Sequence, residues 1–373
     1  MSIPIPAKRI GFLATGSELT SGEILNTNAQ TIAQQLQTLG AEIGEHMLVD
    51  DTQSNIESAL QYLLSRHDAV IITGGLGPTS DDLTRFALSQ VTGKPLIFCE
   101  SSWQRIVERL SKRNIPIPEN NRQQAQFPEG AIVLPNQNGT ADGCYATFQN
   151  KHLFMLPGPP RECLPIFNEQ VLPVLLQHQF SSNKRLHRWR LMGISESAIA
   201  EQLELFGKPY DLQFAYRAAY PYIDIKLMLE TDTNYQAIVA GIGKIVAAYL
   251  VTTLNTPMSV QVQQALSKFP HGLTICDQAT NGAIAARLIS PQNHEKVKLS
   301  AAPCEQYCVE VKGLSEYWQP QPDSHSTSLQ LTLHHDGQQQ HFTYPIYLRG
   351  QETLDYAVEV VAHKIYQSWL SNL

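Results

Sequence analysis

Apolar residues follow two alternating patterns along the first 180 positions of the chain. Short apolar runs, such as Ile10–Ala14 and Ala69–Thr73, are typical of strands buried on both faces of a parallel sheet. Between them, apolar residues recur on one helical face, over Ala29–Leu39 and again over Ile56–Leu64. This alternation predicts an α/β fold with a doubly wound, mainly parallel sheet, in which ligands bind at the carboxyl ends of the strands.

Two smaller units are predicted after this first domain, to which we assign residues 8–180. A short polar stretch, Ser181–Asn183, marks the boundary. Residues 184–256 then show the order strand, helix, strand, strand, helix, which indicates a small α+β domain. Residues 259–373 carry helical patterns near both ends and form a third, α/β domain.

Composition narrows the class of protein. The net charge is −7 and no basic block interrupts the chain, which disfavours binding to nucleic acid by phosphate neutralisation. No apolar run reaches the roughly 18 residues of a membrane span, and Met1–Pro6 lacks the apolar segment of a signal peptide. Six cysteines in so long a chain do not form a disulfide scaffold. We expect a cytoplasmic protein without a nucleic-acid or membrane partner.

The strongest motif is the run Thr73–Thr84, which follows a buried strand and contains Gly74, Gly75 and Gly77. Glycines let backbone N–H groups approach a ligand closely, and a helix expected to begin near Thr79 would add a partial positive charge. Together these features predict a phosphate-binding loop. The alternative is a tight turn that binds nothing.

Acidic residues accompany this loop. Asp81 and Asp82 follow it directly, while Asp51 and Glu18 follow other predicted strands on the same edge of the sheet. Carboxylates beside a phosphate site would repel the substrate unless a divalent cation lay between them. The four residues are therefore our candidate catalytic group, with Mg²⁺, Mn²⁺ or Co²⁺ as the expected cofactor. For Asp82 the alternative is a cap in a box begun by Thr79.

Several blocks of the sequence resemble motifs of the CinA family and occur in that family's order. They are Thr15–Leu19 and Gly22–Asn28 at the opening motif, Gly74–Asp82 at the glycine loop, and later Asn121–Ala125, Asn136–Gly143 and Leu156–Glu162. Gly193–Ser197 is similar to the start of the family's KH-like middle domain. The resemblance is strong over residues 8–255 and weak beyond them.

The resemblance implies an N-terminal domain with the molybdopterin-binding fold of MoaB and Mog proteins, and a homodimer. It also implies metal-dependent hydrolysis of a small nucleotide pyrophosphate, with ADP-ribose as the best candidate substrate. The alternative is a non-catalytic scaffold that binds a nucleotide or a pterin. Metal binding is carried over to Asp81, Asp82, Asp51 and Glu162. Substrate binding is carried over to Gly74, Gly75, Gly77, Thr79, Ser17, Asn138, Gly139, Thr140, Pro157 and Gly158.

The chain departs from the family pattern at Ser17, where the family usually has Asp. If that Asp helps to hold the metal, metal binding here should be weaker. The Ser17 hydroxyl would otherwise be free to contact phosphate.

A second departure lies in the C-terminal domain. Many CinA proteins deamidate nicotinamide mononucleotide there, with a nucleophilic Ser in a Glu-Ser-Cys-Thr-Gly-Gly run. In the corresponding stretch, Leu273–Gly282, the Ser position holds Gln278 and the Cys position Ala279. An amide cannot replace an alkoxide nucleophile. Thr280 or Cys276 could serve only by relocating the attack geometry, so we expect a folded domain without this activity.

Overall fold

The computed structural model of the chain describes residues 8–114, 116–231, 234–304, 306–320 and 324–371. Met1–Pro6, considered above as a leader, and the last two residues of the third predicted domain lie outside this part. The chain divides into two compact units: residues up to Leu186 with Met228–Thr231, and His187–Leu227 with Asp232–Leu373. Within the described residues, no helix is long and apolar enough to cross a membrane.

The first unit is built on eight strands. They are β1 (Arg9–Thr15), β2 (Glu42–Val49), β3 (Ala69–Thr73), β4 (Leu96–Phe98), β5 (Gln126–Pro128), β6 (Ile132–Leu134), β7 (Gly143–Phe148) and β8 (Lys151–Leu156). Six of them form one sheet in the order β2-β1-β3-β8-β7-β6, and β4 pairs with β5. Strands β2, β1, β3 and β8 are parallel, whereas β7 and β6 extend the sheet in antiparallel fashion.

Helices cover both faces of this sheet. They are α1 (Ser17–Thr20), α2 (Thr27–Thr38), α3 (Gln53–Arg66), α4 (Thr84–Thr92), α5 (Glu100–Lys112), α6 (Pro160–Ile166) and α7 (Leu172–Gln177). Side chains of α2 and α6 form one core with one face of the sheet, and those of α3 and α4 form a second core with the other face. The predicted doubly wound, mainly parallel fold is confirmed.

Strand β3 has a continuously apolar sequence because both of its faces are buried. Ile71 belongs to the core on one face, whereas Val70 and Ile72 belong to the core on the other. Because side chains alternate along a strand, a strand covered on both sides needs apolar residues at every position. The carboxyl ends of β1, β3 and β8 therefore meet at one edge of a sheet that is held from both sides.

Two further sheets follow along the chain. The elements that follow β8 and α7 are β9 (Lys184–Leu191), α8 (Glu196–Gly207), β10 (Ala215–Ala219), β11 (Tyr222–Glu230), α9 (Tyr235–Val246), β12 (Leu250–Thr252), α10 (Met258–Lys268), β13 (Leu273–Asp277), α11 (Ala283–Leu288), β14 (Val297–Leu299), β15 (Cys308–Gly313), β16 (Ser326–His335), β17 (Gln338–Tyr347) and α12 (Gln351–Ile365). The sheet orders are β10-β11-β9-β12 and β14-β13-β15-β16-β17. The predicted boundaries 184–256 and 259–373 stay predictions.

Candidate functional site

A cavity of about 490 Å³ lies at the edge where the parallel strands end. Its walls come from the segments that directly follow β1, β2, β3 and β8. The candidate residues that line it are Glu18, Asp51, Gly74, Gly75, Gly77, Thr79, Asp81, Asp82, Thr140, Pro157, Gly158 and Glu162. The structure thus brings most of the candidates together, although they are spread over more than 140 positions of the sequence.

Three candidates do not line this cavity. Ser17 lies next to it and contacts Asp51. Asn138 and Gly139 line a neighbouring cavity, which shares Thr140 with the first. These three residues are adjacent to the site and do not form its walls.

The glycine loop already holds an anion of its own, the carboxylate of Asp82. That carboxylate accepts hydrogen bonds from the backbone N–H of Gly77 (2.7 Å), from the backbone N–H of Thr79 (2.9 Å) and from the Thr79 hydroxyl. The Asp82–Thr79 pairing is the capping alternative stated above. The expected helix start is wrong, however, because α4 begins at Thr84. The loop therefore closes on Asp82 in a separate turn before the helix.

Close packing within the protein explains the glycines. Gly75 has φ 64°, and a Cβ at this position would overlap the Thr84 hydroxyl. A Cβ on Gly77 would overlap the Asp82 carboxylate. Neither position can carry a side chain without moving buried groups, whether or not a ligand is bound.

Side chains behind the loop bind its carbonyl groups. Gln123 donates to the carbonyls of Gly77 (3.1 Å) and Thr79 (2.8 Å), and Asn120 donates to that of Pro78 (3.0 Å). Gln123 belongs to the block Asn121–Ala125 that carried part of the resemblance. Bonds to the carbonyl side fix the orientation of the peptide units, and the Pro78–Thr79 unit among them directs its N–H to Asp82.

Arg85 lies fully buried under the loop, and the sequence analysis did not single it out. Its guanidinium donates to the carbonyls of Leu76 (3.0 Å) and Gly77 (3.4 Å), while its Nε has no partner within the described ranges of the chain. Burial lowers its pKa to about 10, so the group stays charged at neutral pH. In the described part of the chain Arg85 forms no ion pair within 4 Å, and its charge favours anions in the cavity.

The carboxylates differ in the hydrogen bonds that they accept from the protein. Asp51 Oδ2 accepts hydrogen bonds from the Ser17 backbone N–H (2.8 Å) and hydroxyl (2.9 Å). The neutral Ser17 thus stabilises Asp51, where an Asp at position 17 would repel it. Asp81 is exposed, and its interaction with Thr79 keeps its pKa below the ordinary value.

Glu162 is tied into the opposite wall of the cavity. Its Oε2 accepts a hydrogen bond from the Asn136 side chain at 2.8 Å, and its Oε1 lies 3.8 Å from Arg161. A Cβ on Gly139 would overlap the Glu162 carboxylate, so the glycine allows this close approach. Glu162 therefore also fixes the loop that contains Asn138 and Gly139.

A divalent cation fits this set only in a particular way. Among the residues that the structure describes, no three His, Cys, Asp or Glu side chains converge to hold a metal ion. Mg²⁺, however, commonly takes one or two protein carboxylates and fills its other positions with water and substrate phosphates. Asp81 and Asp51, which keep free oxygen lone pairs, suit that arrangement. Asp82 and Glu162 are held by hydrogen bonds within the protein.

Two further features suit a nucleotide. Asn28 donates to the Gly158 carbonyl at 2.6 Å. Its buried Oδ1 has no partner among the residues that the structure describes, although buried polar atoms normally have one. Ile24 and Leu25 line the same cavity and are 51% and 82% exposed. The cavity thus combines an unsatisfied acceptor with an exposed apolar rim.

The stretch Leu273–Gly282 forms β13 and the turn before α11. Thr280, one substitute considered for the missing nucleophile, is buried; its hydroxyl donates to Asp277 and accepts from the Ile284 N–H. Cys276, the other substitute, is buried with its Sγ 3.7 Å from that of Cys308. Both groups are engaged inside the protein.

Comparison with known proteins adds family information. A family model described as "Probable molybdopterin binding domain" matches residues 11–177. The CinA-like protein of Dictyoglomus thermophilum is 36% identical over 290 residues, which cover 76% of this chain and 70% of that protein. A protein of Alkaliphilus oremlandii, provisionally named competence-damage inducible protein, is 43% identical over 197 residues. The match covers 52% of this chain and 47% of that relative, about half of its length.

Solved structures also match the N-terminal part of the chain. The protein CinA from Thermoplasma acidophilum is 27% identical, with a TM-score of 0.42, and the match covers 45% of this chain and 98% of that one. The tungsten cofactor synthesizing protein MoaB from Pyrococcus furiosus is 18% identical, with a TM-score of 0.31. That match covers 48% of this chain and 99% of the other.

Proposed function

The chain belongs to the CinA family, and we propose that its N-terminal domain hydrolyses a nucleotide pyrophosphate with the help of a divalent cation. ADP-ribose is the substrate that we propose first. The single observation that carries the proposal is the composition of the 490 Å³ cavity, in which carboxylates and a loop backed by a buried arginine face the same space.

The groups in this cavity have opposite effects on a phosphate unless a cation binds between them. Arg85 and the loop favour a phosphate, whereas Asp51, Asp81 and Asp82 repel it. A bound Mg²⁺, Mn²⁺ or Co²⁺ would neutralise developing charge on the pyrophosphate and activate water. Asp81 and Asp51 would hold the cation.

The remaining residues would bind and orient the nucleotide. The field of Arg85 would attract phosphate oxygens, and the loop N–H groups that now hold Asp82 would bind them once the cation draws that carboxylate away. The unsatisfied Oδ1 of Asn28 would accept a hydrogen bond from a ribose hydroxyl, and Ile24 with Leu25 would cover the base. These assignments use the buried charge of Arg85, the acceptor of Asn28 that has no partner among the described residues, and the exposed apolar rim.

The test is incubation of the purified full chain with ADP-ribose and each of the three cations, with AMP and ribose phosphate as the measured products. We expect product release that depends on the cation and is lost in Asp81→Asn. Glu129→Gln, which removes an exposed charge outside the cavity, is the matched control and should keep full activity. Tight binding of ADP-ribose without product would contradict the proposal.

That last outcome would support the second candidate function, a nucleotide- or pterin-binding scaffold without turnover. The bond between Ser17 and Asp51 favours it, because it satisfies Asp51 without a cation. Ser17→Asp would restore the usual family residue and separates the two functions. An enzyme with a weakened metal site should gain cation affinity and turnover, whereas a scaffold should gain no turnover.

We also propose that the C-terminal domain does not deamidate nicotinamide mononucleotide. The hydroxyl of Thr280 and the thiol of Cys276 are both buried and engaged within the protein, which supports this.

A further inference from the structure

A second cavity, of about 560 Å³, adjoins the first and is lined by one face of α5 and by the loop Asn136–Asp142. The face of α5 carries three cations at helical spacing, Arg105, Arg109 and Lys112, and a fourth, Arg113, follows directly at the end of the helix. This local concentration of positive charge is not evident from the sequence, because the net charge is −7 and the cations do not form a continuous block.

One of these cations is neutralised and ties the helix to the loop. Arg105 donates to Asp142 through Nε (3.2 Å) and Nη2 (2.6 Å), and Asp142 also accepts from Ser102 and from the Asn136 N–H. Asp142 is 2% exposed, so this network is fixed within the protein. Arg109 adds a second tie by donating to the Gln137 carbonyl. The two walls of the cavity are therefore held at a set distance before any ligand binds.

The other charges are not balanced. Of the two carboxylates that line the cavity, Asp142 is paired with Arg105, which leaves Glu108. Arg109, Lys112 and Arg113 form no ion pair within the described residues. Positions 109, 112 and 113 lie on one side of the helix, so their charges repel one another. Such a group is stabilised by a bound anion that contacts several of its members.

We propose that this second cavity binds a phosphate group. A dianion compensates the excess of positive charge better than a monoanion does, and its oxygens can accept from both arginine and lysine. Thr140 is part of both cavities. The phosphate could thus be free phosphate or an additional phosphate on a nucleotide that extends over Thr140 from the first cavity.

The first arm of the test measures the binding of inorganic phosphate to the full chain by calorimetry, with and without saturating ADP. The variant Lys112→Gln/Arg113→Gln should bind phosphate about tenfold more weakly, because it removes two of the three unpaired cations at a site that solvent partly screens. Lys208→Gln/Lys298→Gln removes the same charge from exposed sites elsewhere and should bind phosphate as the wild type does. Phosphate binding that persists with ADP present indicates a site for free phosphate.

The second arm compares the affinity of ADP-ribose with that of ADP-ribose 1″-phosphate. A preference of about tenfold for the phosphorylated ligand, lost in Lys112→Gln/Arg113→Gln, identifies the source as a nucleotide. If the double variant changes neither measurement, the proposal is overturned. Neither arm measures hydrolysis, so this result is independent of whether the chain is a pyrophosphatase.

Discussion

Asp82 is the acidic residue on which the glycine loop closes. Its position after three glycines predicted either a metal ligand or a cap, and the sequence offered no means to choose. In the structure its carboxylate accepts three hydrogen bonds from Gly77 and Thr79, which is a structural role. The residue also lines the candidate cavity, so the structural role does not exclude a chemical one.

Asp82→Asn tests both roles. The amide group would place an N–H₂ against groups that donate, so we expect the free energy of unfolding to fall by about 1–3 kcal/mol. We also expect cation-dependent release of AMP to be lost, because a charge is removed beside the cation. Urea denaturation and the product assay measure the two effects. Unchanged turnover at limiting cation would show that Asp82 is structural only.

A pH dependence follows from His152. Burial, with His178 and Lys8 nearby, lowers its pKa to about 4 from an ordinary 6.5, and Asp68 opposes this only in part. Between these values the unfolded chain binds more protons, so the free energy of unfolding decreases as pH falls through the window. His152→Gln should reduce the slope by up to about 1.4 kcal/mol per pH unit in urea denaturation. The exposed control His294→Gln should keep the wild-type slope; an equal effect there would refute the assignment.

At the scale of single residues, the sequence indicated the acidic candidates but missed Arg85. Carboxylates after strands are recognisable because parallel strands end at a common edge. An arginine in the first turn of a helix ordinarily extends to solvent, and only the fold shows that Arg85 turns under the loop. The spacing of Arg109, Lys112 and Arg113 indicates one helical side. The sequence does not indicate that the loop Asn136–Asp142 lies opposite them.

Among the elements, the buried strands were the most predictable and the glycine loop the least. Strand β3 was expected at Ala69–Thr73 and is observed there, because a strand covered on both faces has an unbroken apolar sequence. The start of α4 was placed near Thr79 and lies at Thr84. The intervening turn depends on bonds from Gln123 and Asn120, which are more than 40 positions away. Local patterns cannot report such contacts.

The loop's packing can be tested by comparing two glycines with nearly the same backbone angle. Gly75 (φ 64°) faces the Thr84 hydroxyl, whereas Gly93 (φ 65°) has open space around it. Alanine costs about 1–2 kcal/mol at either position for the left-handed conformation. Gly75→Ala should cost roughly 1–3 kcal/mol more for overpacking and should weaken ADP-ribose binding. Equal losses of stability in urea denaturation would refute the packing argument.

The turn between β13 and α11 provides another test. We expect no ammonia from nicotinamide mononucleotide with the purified chain, because Gln278 stands at the position of the nucleophile and Thr280 is held by Asp277. An enzyme-coupled ammonia assay gives the measurement. Ammonia release that is lost in Thr280→Ala would show that the hydroxyl has taken over the attack.

For the whole molecule, the sequence predicted three domains, while the chain separates into two compact units. The sheets nevertheless follow one another along the chain, with β1–β8 before β9–β12 and β13–β17 last. The later part was predicted less fully because short strands with exposed faces give weak patterns; β12 has only three residues.

We predict that the chain forms a homodimer, as the family resemblance implies. Light scattering at micromolar protein should give twice the chain mass of 41.6 kDa. Because a dimer dissociates on dilution, the measured mass should decrease at sufficiently low concentration. A mass of 41.6 kDa throughout the micromolar range would contradict the prediction.

The Asp82 carboxylate that occupies the loop affects which anions the loop can bind. A tethered carboxylate competes with incoming ligands at an effective concentration on the order of millimolar or above. Chloride or acetate, which bind N–H groups no better than Asp82 does, will rarely displace it. Only a ligand that brings more charge, or a cation that draws Asp82 away, can open the loop. The loop should therefore discriminate against small monovalent anions at this wall of the cavity.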